Sequence, residues 1–372
     1  MSTVGKYAMP VEHLTWDVSS AYDTRFSWEY DDARPTLLAL YQKGKDKQWD
    51  SSERIDWSIE VDPGDVLGTP EESLALYGTR QWDKLGPRDR AELRQHLASW
   101  QFSQFLHGEQ GAMICSARIV ESVPDLDSKF YACTQVMDEA RHAETYSRFL
   151  QEKVRLVYPI NPQLKALLDD VLTDSRWDMP YLGMQVLIEG LALAAFGVLR
   201  DLTTKPLPKQ ILAYVMQDEA RHVAFGRLAL RDYYAQLSRQ ELAEREEFVI
   251  EGSYLMRDRF RSPEIWENLG YDVAECLEYV DRGPRMRAFR TQLFTRLVPC
   301  IKDIGLWGER VRAAYADMGV LKMAEVDLSA LMRADEDVAE KVDAEKRELA
   351  VRKGQVEETI AAGSSTSPED DS

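Results

Sequence analysis

Asp138-Glu139-Ala140-Arg141-His142 and Asp218-Glu219-Ala220-Arg221-His222 are the same five residues, set 80 positions apart. Within each copy the Glu and the His stand three residues apart. That is about 300° of helical rotation and less than one turn of rise, so on an α-helix both side chains leave the same face. The same offset finds two further carboxylates. Glu109, in Phe105-Leu-His-Gly-Glu-Gln-Gly-Ala-Met113, precedes Glu139 by 30 residues, and Glu189, in Val186-Leu-Ile-Glu-Gly-Leu-Ala-Leu193, precedes Glu219 by 30. The chain therefore reads as two helical pairs, each carrying Glu…Glu-x-x-His. Carboxylates gathered in an apolar core repel one another and are costly to ionise. Two divalent cations remove that cost, and an all-α bundle of four helices is the architecture that presents such a set.

Four carboxylates, two imidazoles and no thiolate suit iron or manganese and disfavour a structural zinc site. Asp138 and Asp218 stand beside the ligand Glu residues, where each can accept the free ring N–H of a metal-bound imidazole. Arg141 and Arg221 follow those Asp residues at i+3 and can hold them by ion pairs.

Composition narrows the function class. The 372 residues, 44% of them hydrophobic, are enough for a substantial core. A formal net charge of −18 argues against nucleic-acid or anionic-membrane binding, both of which want a basic patch. Cys115, Cys133, Cys276 and Cys300 are scattered, with no C-x-x-C, which points to a reducing, cytoplasmic compartment. Met1 to Trp16 contain no apolar run of signal-peptide length. Met179 to Leu199 are nearly all apolar, but Gln185 and Glu189 lie inside the run. A buried core helix explains both the length and the polar residues, whereas a membrane span explains only the length.

In chain order, residues 1–88 form an aromatic-rich arm that includes Trp16, Phe26 to Tyr30 and a helix from Pro35 to Tyr41. Such an arm wraps the bundle or meets another subunit. Residues 89–322 are the helical domain. Its first ligand helix begins near Pro87 and runs to about Val123, and Asp127 or Ser128 can cap the second. Pro159 and Pro162 end that segment, Asp178 with Pro180 opens the third ligand helix, and Pro206 and Pro208 separate it from the fourth. Accessory helices follow Arg231. Residues 323–372 read as a solvated charged helix and a disordered acidic tail.

The doubled Asp-Glu-x-Arg-His with its two upstream Glu residues resembles the ferritin-like di-iron carboxylate superfamily over residues 95–235. It is most similar to the oxygen-activating hydroxylase subunits of bacterial multicomponent monooxygenases. The arylamine N-oxygenases and the ribonucleotide reductase small subunits are neighbouring branches. The resemblance implies a ferritin-like four-helix bundle with accessory helices. It makes Glu109, Glu139, His142, Glu189, Glu219 and His222 the ligands of two iron ions (Fe/Fe, or Mn/Fe), with O2 as co-substrate.

Three positions bear on the choice between the neighbouring patterns, two by departing from them and one by matching. Arylamine N-oxygenases carry a third His one turn before the last ligand Glu, where this chain has Val215. Reductase small subunits carry a radical Tyr four residues after the first ligand His, and Tyr146 stands there, a candidate catalytic residue. Their first ligand is usually Asp, where this chain has Glu109. The chain is also shorter than the monooxygenase hydroxylases.

Helical spacing around the ligands suggests an apolar substrate chamber lined by Phe105, Met113, Gln185, Ala192, Phe196 and Gly226. No Gly-rich dinucleotide fingerprint or cysteine cluster is present, so electrons would come from a separate reductase or ferredoxin. The expected function is an O2-activating di-iron oxygenase, a homodimer that hydroxylates or N-oxygenates a small nonpolar, aromatic or amine substrate. Two alternatives stand beside it. One is a radical or oxidase protein of the reductase small-subunit type, and the other a ferroxidase-type iron-handling protein.

Overall fold

The structure is a computed structural model that describes residues 34–364. The Trp16 and Phe26 to Tyr30 stretches of the arm and the acidic tail beyond Ser364 lie outside the described residues. Every regular element among those described is helical. Two antiparallel helical pairs form the centre. The first is α2 (Pro87–Ser122) with α3 (Leu126–Phe149), and the second is α5 (Glu189–Leu202) with α6 (Pro206–Tyr234); α1 (Pro35–Asp46) and α4 (Pro162–Thr173) precede and connect them. Three-residue links within each pair force antiparallel packing, and the longer connection through α4 carries the chain from one pair to the other.

Local chemistry sets the boundaries. Pro87 occupies the first turn of α2, and the Gly86 N–H donates to Asp89 Oδ2 at 3.1 Å. The cap of α3 is Asp125, which accepts from the Ser128 N–H at 2.9 Å. Asp127 and Ser128 are therefore not the cap. Asp125 alone has the extended backbone a cap requires, and the Asp127 carboxylate accepts from the Arg34 N–H at 3.0 Å instead. Asn161 caps α4 through the Gln163 and Leu164 N–H groups.

The apolar run is one continuous rod, Asp178–Leu202. Its first eleven residues are the turn Asp178–Pro180 and a π-helix, Tyr181–Ile188, leading directly into Glu189 at the start of α5. All residues from 178 to 191 are buried, so this is the central core helix. The charge at its start is matched: Arg245 on α7 (Arg239–Asp258) donates to both oxygens of Asp178 at 3.0 and 3.1 Å, and the Tyr234 hydroxyl donates at 3.1 Å.

Two outer elements bear on the site. The arm wraps the bundle, with α1 approaching α3 so closely that a Cβ on Gly44 would lie 2.9 Å from Thr134 Oγ1. Farther along, the Leu67 carbonyl accepts from Thr203 Oγ1 at 2.7 Å and from the Thr204 N–H at 3.0 Å, which pins the arm to the end of α5. At the other end, α8 (Pro284–Asp303) packs on α5, and α9 (Leu328–Ser364) lies along α6. The inner face of α9 is not solvated, as its charged composition suggests. Ala339 and Val342 are buried, and Asp335, 2% exposed, sits between Arg200 (3.1 Å) and Arg296 (2.7 Å). That face mixes ion pairs with a thin apolar stripe, to which Leu328, Met332 and Val338 also contribute.

Candidate metal centre

The four central helices deliver Glu109 (α2), Glu139 and His142 (α3), Glu189 (α5), and Glu219 and His222 (α6) to one buried point. None is more than 5% exposed. Donor atoms of Glu109, Glu139, His142 and Glu219 lie within 4.8 Å of one another, as do those of Glu139, Glu189 and His222. His142 Nδ1 is 3.3 Å from Glu109 Oε2, 3.4 Å from Glu139 Oε2 and 3.1 Å from Glu219 Oε1. His222 Nδ1 is 3.1 Å from Glu139 Oε1 and 3.5 Å from Glu219 Oε2. Glu139 and Glu219 thus each turn one oxygen to each imidazole, while Glu109 and Glu189 stand at opposite ends.

Behind the imidazoles the two sequence repeats cross over. His142 Nε2 is 3.1 Å from Asp218 Oδ2, and His222 Nε2 is 3.2 Å from Asp138 Oδ2, so each ring is oriented by the Asp of the other copy. Arg141 bonds Asp138 and reaches Asp218 at 2.8 Å; Arg221 bonds Asp218 and reaches Asp138 at 3.4 Å. Sequence spacing places each Arg on its own Asp, but the exchange between copies is a product of the packing of α3 against α6. With both Nε2 atoms hydrogen-bonded outward, both Nδ1 atoms are left facing the carboxylates.

The electrostatics are those of a site short of positive charge. Burial, then the charge of Glu219, pushes the Glu109 and Glu189 carboxyls well above the usual carboxylate range. Burial opposes protonation of the two imidazoles, yet Glu109 beside His142 and Glu139 beside His222 raise both well above an ordinary histidine. Glu139 goes the other way: burial works against its charge, but His222 and His142 hold it well below the normal range.

The same residues fit a pair of cations. Glu139 Oε2, Glu189 Oε2 and both Glu219 oxygens are buried with no hydrogen-bond partner among the described residues. His222 Nδ1, although near Glu139, forms no hydrogen bond with it. Buried polar atoms left in this state cost about 1–3 kcal/mol each, more when charged. Separations of 3.1–3.5 Å between Nδ1 atoms and carboxylate oxygens are those expected of atoms sharing an ion.

Some contributors left little trace in the sequence. Gln135 donates to Glu139 Oε1 at 2.9 Å and Glu189 Oε1 at 3.0 Å, and its position one turn before Glu139 was the available signal. Trp49 Nε1 donates to Asp218 Oδ2 at 2.7 Å, and Gln48 donates to Asp138 Oδ1 at 2.7 Å; both come from the arm, where no periodicity points to them. Tyr146 is fully buried among Phe102, Phe105 and Phe196, with ring centroids 5.8–6.1 Å away, and its hydroxyl has no partner among the described residues. Burial, then Glu109, pushes that phenol well up.

A small cavity touches Glu109, Glu189 and Glu219 and is lined by Phe105, Ala192 and Phe196. Met113, Gln185 and Gly226 are not on its wall. Gln185 lies in the π-helical segment and is turned toward α6 instead. Met184 lines the cavity, and Gln185 is packed against Gly226, whose Cβ position lies 2.6 Å from its own. Met113 is half-buried, and the cavity's wall on α2 is Gln104, Phe105, Gly108, Glu109 and Ala112.

A model of the p-aminobenzoate N-oxygenase AurF family matches residues 31–305. The chain belongs to this family. It is therefore a di-iron oxygenase, an oxidoreductase, and among the branches named above the N-oxygenases are its own. Val215, at the place expected of the N-oxygenases' third His, is fully buried in α6, so among the described residues two imidazoles, His142 and His222, reach the centre. No curated protein matches the chain. Similar solved structures include an R2-like ligand-binding oxidase mutant reconstituted with Mn/Fe (17% identity, TM-score 0.45, 76% of this chain and 100% of that one). Others are the dimanganese(II)-NrdF of Streptococcus sanguinis (13%, 0.46, 76% and 93%) and the R2-like ligand-binding oxidase of Sulfolobus acidocaldarius (16%, 0.43, 77% and 99%).

Proposed function

We propose that this enzyme N-oxygenates a small aromatic amine that carries a carboxylate, and that Arg259 receives the carboxylate. The observation behind this is a buried cation without an anion. Arg259 is 3% exposed and lines the small cavity with Glu109 and Glu189, yet it forms no ion pair among the described residues. Its guanidinium meets only the Met256 sulfur at 3.8 Å and the Phe260 ring at 4.8 Å, and burial alone lowers it to about 10. Leaving such a charge unpaired is costly, and a substrate carboxylate would remove that cost. The free volume is about 20 Å³, room for one water, so the apolar walls at Phe105, Ala192 and Phe196 must give way to admit a ring.

Glu109, Glu139, His142 and Glu219 would hold one metal ion; Glu139, Glu189 and His222, with the second oxygen of Glu219, would hold the other. The bound pair supplies two-electron chemistry toward O2. Asp218 and Asp138 fix the imidazole tautomers, Gln135 orients Glu139 and Glu189, and the aromatic wall excludes bulk water. Conversion of an amine to a hydroxylamine consumes O2, two electrons and two protons and releases water. The electrons would come from a separate reductase or ferredoxin, since no nucleotide or iron–sulfur motif is present in the sequence. A cytoplasmic homodimer is the setting we favour; four free cysteines support the compartment, and exposed Met137 and Ile114 support the dimer.

The test is a comparison of p-aminobenzoate with aniline. Arg259→Met should raise KM for p-aminobenzoate about 10- to 100-fold, the worth of a charge-assisted hydrogen bond, and leave aniline unaffected. An equal effect on both substrates, or on neither, would remove Arg259 from the reading.

A further inference from the structure

A second cavity, of about 500 Å³, lies outside the metal centre. Its walls are largely apolar, with Trp100, Leu199, Trp266 and Phe289 among them, and residues of the arm between 65 and 75 form one side. Three chain segments build both this cavity and the small one at the metals. On α2, Ala98 and Gln101 line the large cavity, and Gln104 and Phe105 line the small one. On α5, Leu199 belongs to the large cavity, Ala192 and Phe196 to the small. After α7, the adjacent residues Phe260 and Arg259 divide in the same way.

Steps of three and four residues keep each helical series on one face. The two cavities therefore lie in succession along one groove between α2 and α5. Gln101 and Glu109 are eight residues apart, about 12 Å along the helix. On the small cavity's wall, one turn from Gln101 and Leu199 of the large one, Phe105 and Phe196 stand edge to face with centroids 4.4 Å apart.

We propose that the large cavity is an entry vestibule that binds the aromatic ring of the substrate before the Phe105–Phe196 pair admits it to the metal centre. This rests on the reading of the enzyme as an arylamine oxygenase. The vestibule recognises the ring rather than the acid. Arg94 in its wall is already satisfied by Asp65 at 3.2 Å and the Thr69 carbonyl at 2.7 Å. Arg285, exposed at the mouth and over the Tyr77 ring at 5.3 Å, forms no ion pair among the described residues and is the first cation an anionic substrate meets. The carboxylate then has a second cation, Arg259, on the far side of the phenylalanine pair.

Two substitutions narrow the vestibule away from the metals. Ala288→Phe acts at an exposed position of α8 on the cavity wall, with little risk to folding, and Leu199→Phe acts from α5. The binding probe is 4-nitroaniline, whose absorbance overlaps tryptophan emission, titrated under argon into the reduced, metal-loaded full chain. Trp100 and Trp266 of the wild type should be quenched saturably, with Kd at least about 10-fold weaker in either variant. KM for p-aminobenzoate should rise about as much, with kcat within about twofold. Absence of quenching in the wild type, or a wild-type Kd in both variants, would overturn the vestibule. Failure of the wild type to oxidise any aromatic amine would sink the functional reading, and the quenching titration would still decide whether the cavity binds a ring.

Discussion

The six proposed donor residues can be read from the sequence because each is repeated at one offset, and in the structure all six lie at one buried point. What the repeat cannot state is how the copies divide their labour. The Asp of each copy serves the His of the other, since the packing of α3 against α6 brings them within 3.1–3.2 Å. Arg259 lies beyond the repeat and has no motif around it; its meaning comes only from burial without an anion. Tyr146 shows the opposite difficulty, a conspicuous position with no visible hydrogen-bonding role. Its hydroxyl is buried and unpartnered, so Tyr146→Phe should retain N-oxygenation within about twofold and raise unfolding stability by about 1 kcal/mol, read by steady-state kinetics and denaturant titration. Loss of activity in a well-folded variant would instead give the phenol a part in the chemistry.

At the level of elements, proline and cap chemistry located the ligand helices to within a few residues, whereas the pitch of one of them was hidden. The eight π-helical residues Tyr181–Ile188 are composed like any apolar α-helix, and it is Met184 of this segment, not Gln185, that lines the cavity beside Glu189. The contact of Gln185 with Gly226 helps fix that register. A Cβ at Gly226 would lie 2.6 Å from Gln185 Cβ, so Gly226→Ala must move one helix against the other. Such overpacking costs about 1–3 kcal/mol. The expected result is a lower thermal midpoint together with less than two metals per chain, since Glu189 directly follows the displaced segment. A variant with full metal content and wild-type stability would show that the register does not depend on this glycine.

For the whole molecule, the bundle was legible and the attachment of α9 was not, because its thin apolar stripe, Leu328, Met332, Val338, Ala339 and Val342, is interleaved with residues that form ion pairs. Glu336 on α9 pairs with Lys43 and Lys47 of the arm at 2.9 and 3.0 Å, and Asp343 pairs with Arg54 at 2.8 Å. Burial opposes the charge of Glu336, but the two lysines lower it from 4.5 to about 2. A carboxylate depressed in the folded state lends stability that is complete above its unfolded value and is lost as pH falls through its folded one. The attachment of α9 should therefore weaken between about pH 4.5 and 2, with hydrogen exchange in α9 rising before that of α6. Salt should have the same effect at neutral pH, because these pairs are part-exposed. Simultaneous loss of protection in both helices would mean that α9 is held by something else.

The most direct test of the central claim is a single turnover with isotopically labelled oxygen. The full chain, loaded anaerobically with Fe(II), is mixed with p-aminobenzoate and ¹⁸O₂, and both the organic product and the oxidised iron are counted. An N-oxygenated product carrying ¹⁸O is expected, with no more than two Fe(II) oxidised per chain. Many Fe(II) oxidised per chain, with p-aminobenzoate recovered unchanged, would contradict it and leave a protein that oxidises iron.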